Sequence, residues 1–116
     1  MFINLTNHPS EKWSEEQIKA ARCYGEIADI PFPSIKPTAS TNDIIELAEL
    51  MIDKIKSIDS NPTVHVMGEM TFTYHVVSRL KALGITCVAS TTKRNIIITP
   101  DGKEIPDFKF VQFREY

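Results

Sequence analysis

Three short polar segments carry the residue types from which a phosphodiester site is built. Thr6-Asn7-His8 offers a hydroxyl, a side-chain amide and an imidazole, a ring that can both give and take a proton, so His8 suits general acid–base work or donation to a phosphate. A purely local role, shaping the Asn7-His8-Pro9 turn, is the competing reading for both Asn7 and His8. Gly68-Glu69-Met70-Thr71 follows an apolar run and precedes residues at helical spacing. Backbone N–H groups and the helix dipole at such a turn favour an anion. Glu69 would orient a ribose hydroxyl, accept from a base amino group or pair with Arg94, and one of Thr71 and Thr73 is read as the N-cap of the helix. Ser90-Thr91-Thr92-Lys93-Arg94 sets three hydroxyls beside two fixed cations, where Arg94 can grip a phosphate bidentately. A polar β-ribbon with alternating exposed residues would account for the same letters.

Other chemistry is not encouraged. There is no Walker A loop, GxGxxG, GxSxG or HExxH, and His65 and His75 have no second ligand at metal spacing, so both are read as structural and no metal or cofactor is expected. Cys23 and Cys87 form no CxxC pair and are expected to be small buried residues. Arg114, near the end of the sequence, reads as a solvated charge. A net charge of −2 on 116 residues gives no general attraction to long nucleic acid, so an anion site must be local. The length suits one α/β domain over residues 1–116, and the absence of a spanning apolar run predicts a cytoplasmic protein with no membrane partner.

The elements that must position these segments follow from hydrophobic period and punctuation. Met1 to Leu5 reads as a buried strand, and Ser14 with Gln17 as a capping box before a helix carrying Ile18, Ala21 and Tyr24 and ending at Gly25. Glu26 to Phe32 reads as a second strand and Pro33 to Thr41 as an extended loop. Ser40 or Thr41 then caps a helix whose Ile44, Leu47, Ala48, Met51, Ile55 and Ile58 form one apolar stripe. Asn61-Pro62 introduces a third strand, Thr63 to Met67. A third helix carries Phe72, Val76, Val77, Leu80 and Leu83, and Gly84 ends it. Ile85 to Ala89 is a fourth strand leading into the polar Ser90 to Arg94 run, and Asn95–Thr99 and Phe108–Phe113 flank a Pro100-Asp101-Gly102 turn, giving a hairpin or long ribbon.

This alternation predicts a three-layer, Rossmann-like α/β domain with a mainly parallel sheet, central order 2-1-3-4, and a C-terminal β-hairpin. The chain reversal then falls between strands one and three. Thr6, Asn7 and His8 would lie beside Gly68, Glu69, Met70 and Thr71 at the carboxyl edge, with Ser90 to Arg94 one strand further on.

The strand ending in TNHPS, the helix start WSEEQ, the turn VHVMGEMTFTY and the strand end CVASTTKR together resemble the small CRISPR-associated Rossmann-fold (CARF-like) proteins, which bind and in some members cleave cyclic oligoadenylates in antiviral defence. The resemblance covers most of the chain, although the chain is shorter than a full domain of that class and its first loop has no cation before Lys12. It implies a homodimer holding a cyclic oligoadenylate or related nucleotide anion across a two-fold axis, at Thr6, Asn7, Gly68 to Thr71 and Ser90 to Thr92. Metal-free ring cleavage would run through attack of a ribose 2′-hydroxyl on the adjacent phosphorus. His8 is then the acid or base, and Lys93 and Arg94 stabilise the developing charge. The alternatives are a non-catalytic sensor or partner-binding module, and a small nucleotide or sugar-phosphate enzyme on a flavodoxin-like sheet.

Overall fold

A computed structural model describes the whole chain, Met1–Tyr116. Its strands are β1 (Phe2–Thr6), β2 (Ile27–Pro31), β3 (Thr63–Met67), β4 (Thr86–Ile98) and β5 (Glu104–Glu115), and its helices are α1 (Glu15–Arg22), α2 (Thr41–Ile58) and α3 (Met70–Ala82), with a 3-10 turn at Ser10–Lys12. The five strands form one sheet in the order β2-β1-β3-β4-β5. β1 pairs in parallel with both β2 and β3, and β3 with β4; only β4 and β5 are antiparallel. The expected central order and the hairpin are both present.

Strand alternation divides the core in two. Ile3, Leu5, Val64, Val66 and Cys87 turn to one face and join Ile44, Ala48, Ile52, Ile55, Phe72, Val76 and Leu80 of α2 and α3. Phe2 and Val88 turn to the other face and meet Ala21 of α1, with Trp13, Ile27 and Phe113 packed around them. Because β1 is central and covered on both faces, all five of its residues are buried, and so its polar members Asn4 and Thr6 must find partners inside the protein.

Several local expectations are corrected. Only half of a capping box forms at Ser14, which accepts from the Gln17 N–H; the reciprocal box is at Ser40 and Asp43, where the shorter acid reaches back to the Ser40 N–H. Leu47 is only partly buried and Ile58 is exposed, so the α2 stripe is centred on Ile44, Ala48, Met51, Ile52 and Ile55. Cys23 is exposed and donates its thiol to the Lys19 carbonyl, because α1 ends at Arg22 and the cysteine falls on the outer side.

The largest difference is at β4. Instead of ending near Ala89, the strand runs unbroken to Ile98, although its pairing with β3 stops at Val88. β5 supplies partners for the remainder, so β4 and β5 continue as a two-stranded ribbon past the parallel strands. The ribbon closes through the Thr99 N–H to Lys103 carbonyl bond, and Gly102 takes the left-handed conformation (φ +82) that the Asp-Gly pair allows.

Candidate functional site at the carboxyl edge

The carboxyl end of β1 is built around Asn4. Its side-chain amide donates to the His8 carbonyl and to Asp29 Oδ1, both at 2.8 Å, and its Oδ1 accepts from Thr6 Oγ1 at 2.9 Å. His65 Nδ1 stands 3.0 Å from that same oxygen, so the imidazole carries its proton there and leaves Nε2 bare. Burial holds the His65 pKa down to about 4. The ring is stacked on Phe2 and edge-on to Trp13 and Phe113, consistent with the structural reading of His65.

The His8 loop is fixed by its backbone. Its carbonyl also accepts from Trp13 Nε1 at 3.1 Å, and its N–H donates to Thr6 Oγ1 at 3.1 Å, while the imidazole is exposed. Asp29, opposite Asn4 on β2, accepts from the Ser10 hydroxyl at 2.6 Å and the Ser10 N–H at 3.1 Å. Burial pushes the Asp29 carboxyl up, but the bonds from Ser10 and Asn4 outweigh it and hold the pKa below the usual value. Asn4, Thr6, Asn7, Pro9, Asp29 and Phe32 line a crevice of about 310 Å³ at this edge, completed by Ile30 and Pro31.

The β3–α3 turn is occupied differently from the expected anion cradle. Glu69, not Thr71, is the N-cap of α3. Its carboxylate takes the N–H groups of Thr71 and Phe72, each at 2.9 Å, and the Thr71 hydroxyl. The Thr71 hydroxyl and these two N–H groups hold the Glu69 pKa below its ordinary value. The positive end of α3 therefore already has its anion, supplied by the chain. Gly68 also has a packing reason. A Cβ there would fall inside the Phe32 ring, which lies against this turn and meets Phe72 edge-on at 5.2 Å. Met70 is exposed beside it.

Along Ser90 to Arg94 the side chains alternate, which separates residues that are neighbours in sequence. Ser90 is at the level of the β3 end, where its N–H and hydroxyl meet Met67 Sδ at 3.3 and 3.1 Å. The Thr91 hydroxyl donates to the Gln112 carbonyl. Thr92 opposes Phe110 and Arg94 opposes Phe108 on the face shared with Phe113 and α1. Lys93 opposes Lys109 on the other face. The two cations expected to act together thus point to opposite sides of the ribbon. Arg94 is about 13 Å beyond Ser90 at the usual rise per strand residue.

The fold brings Thr6, Asn7, the His8 loop and the Gly68 turn to one edge, since Thr6 and Met67 are register partners. Asn4, Ser10, Asp29 and Trp13 complete that edge without having been singled out from sequence. The available signal was a polar residue inside each of two apolar runs, Asn4 in FINL and Asp29 in IADI, which pair across the sheet. No helix is long and apolar enough to cross a membrane.

Residues 1–114 match the family model described as "Uncharacterized protein MJ1673 family", and the chain belongs to that family. No curated protein and no solved structure matches it.

Proposed function

We propose that this member of the MJ1673 family is a Rossmann-like, three-layer α/β protein that binds a nucleotide-derived anion, a cyclic oligoadenylate, at the carboxyl edge of its sheet. One observation carries the reading: the crevice at Asn4, Thr6, Asn7 and Asp29, the His8 loop held by Asn4 and Trp13, and Arg94 all belong to the α1 face, at or beyond the ends of the parallel strands. Carboxyl ends of parallel strands are where ligands bind in open α/β sheets. In this reading Asp29 and Asn7 take ribose hydroxyls or adenine amino groups. A phosphate stays clear of the Asp29 carboxylate and meets Arg94, with the exposed His8 ring as a second donor. Glu69 and Thr71 hold α3 and Gly68 seats Phe32, so their part is to shape the edge.

Calorimetric titration with cyclic tri-, tetra- and hexa-adenylate at two salt concentrations tests this. Affinity should fall as salt rises. Arg94→Ala should cost about tenfold, the scale of one charge-assisted hydrogen bond, and Lys93→Ala, on the opposite face, much less. No binding of any ring, or equal losses in the two variants, overturns the reading. Product analysis decides between sensor and ring nuclease: linear fragments, with His8→Ala slowing single-turnover cleavage by about 10²–10⁴-fold, identify a nuclease. A bound ring that stays intact identifies a sensor.

A further inference from the structure

β5 is the last strand of the sheet, and one side of it is unpaired over a long stretch. Its hydrogen-bonding phase follows from the hairpin. The Thr99 N–H donates to the Lys103 carbonyl, so Thr99 and Lys103 are a bonded pair, and alternation makes Ile97/Ile105, Asn95/Asp107 and Lys93/Lys109 bonded pairs as well. Glu104, Pro106, Phe108 and Phe110 therefore turn their backbone groups to the free edge. Pro106 sits where its missing N–H costs no bond to β4.

The same stretch is unsatisfied in its side chains. Lys93 and Lys109 face each other across the ribbon, a destabilising pair, and neither they nor Asp107 make an ion pair within the molecule. Ile105, Phe108 and Val111 stand 48%, 61% and 58% exposed. No helix covers these rows. A two-stranded ribbon by itself is marginal in water.

We propose that a second copy of this chain docks on β5, antiparallel, about a two-fold axis through Phe108. The β5 sequence is complementary to itself in this register. Phe108 faces Phe108 and exchanges both backbone bonds with it, and the Phe110 N–H donates to the Pro106 carbonyl of the second copy, twice by symmetry. Asp107 faces Lys109 twice, placing an acid beside the Lys93/Lys109 pair, and Ile105 lies alongside Val111, where the bulge opposite Thr91/Thr92 ends the run. Neighbouring registers lose the match. An axis on Lys109 sets lysine against lysine, one on Asp107 sets acid against acid, and an axis between residues sets outward-facing groups against inward-facing ones. The two sheets become one of ten strands, twice the five of a single copy. The docking requires no ligand and stands apart from the oligoadenylate reading.

Sedimentation velocity on the full chain tests it, with charge reversal and cross-linking as the discriminating arms. Wild type should sediment as a dimer at micromolar concentration. Asp107→Lys and Lys109→Asp, each placing like charges opposite one another twice, should each weaken association by about tenfold or more, and the combined variant should restore it. Phe108→Cys in a Cys23→Ser background should form an intermolecular disulfide under mild oxidation. Bonded antiparallel pairs have Cα atoms about 5.5 Å apart, within disulfide range. Ile97→Cys on β4, in the same background, should not cross-link. A monomeric wild type, single charge variants that associate like wild type, or a Phe108→Cys chain that does not cross-link overturns the proposal.

Discussion

The parallel body of the sheet and the β4/β5 ribbon use the same residue to opposite effect. In α2, Ile52 and Ile55 are 2% and 0% exposed, packed between the helix pair and the inner face of β1 and β3. In β4, Ile96, Ile97 and Ile98 form an unbroken apolar run, yet they stand 60%, 50% and 70% exposed. Apolar character states what a side chain gains from burial, not whether a layer exists to bury it. α2 joins the core of β1 and β3, whereas α1 reaches β5 only near Phe113 and leaves Ile96 to Ile98 uncovered.

The largest expected effect breaks that comparison if it fails. Ile55→Ala should destabilise the fold by about 2–5 kcal/mol, the cost of a cavity in a packed core. Ile97→Thr in the ribbon should change stability by under about 0.5 kcal/mol, as a surface substitution does. Urea unfolding of the two variants checks both, and comparable losses would mean that the ribbon is as firmly buried as the body.

The second effect separates the two faces of the body. His65 is neutral in the fold with a pKa near 4, against about 6.5 when unfolded. Between those values the unfolded chain binds the extra proton, so stability rises with pH there. Its contribution is complete above about pH 6.5 and is lost as pH falls towards 4, by roughly 3 kcal/mol at most, at about 1.4 kcal/mol for each pH unit. Unfolding curves from pH 7 to 4 measure this. His65→Phe should flatten that slope; an unchanged slope would locate the acid sensitivity elsewhere.

The smallest effect concerns the carboxyl edge. Gly68→Ala should cost about 1–3 kcal/mol, because its Cβ meets the Phe32 ring. The same substitution in a Phe32→Ala background should cost less. Thermal unfolding of the four chains gives the coupling between the sites, and simple additivity would show that the glycine serves something other than Phe32.

At the site, legibility followed chain distance. That Gly68 begins a turn and that a helix follows it could be read from neighbours in sequence, as could the Asp101-Gly102 hairpin. The cap is not legible in the same way, since Glu69, Thr71 and Thr73 are all competent acceptors and only the turn's geometry selects the carboxylate. Lys93 and Arg94 look like a cluster in the sequence because they are adjacent; a continuous strand sends them to opposite faces. The pairing of Asn4 with Asp29 and His65 was not legible, because it joins residues 25 and 61 positions apart.

Hydrophobic period, caps and turn residues are local properties, and by themselves they determined three helices, a mainly parallel sheet and a terminal hairpin. The alternating order of those elements was enough to place β1 inside the sheet beside β3, since few chain paths join them without crossing. Only the tertiary structure decided how far β4 runs beyond β3 and what fills the α3 N-terminus. It also decided which polar groups meet at the carboxyl edge. Each of these depends on contacts between segments distant in sequence, whose register follows from packing both faces of one sheet at once.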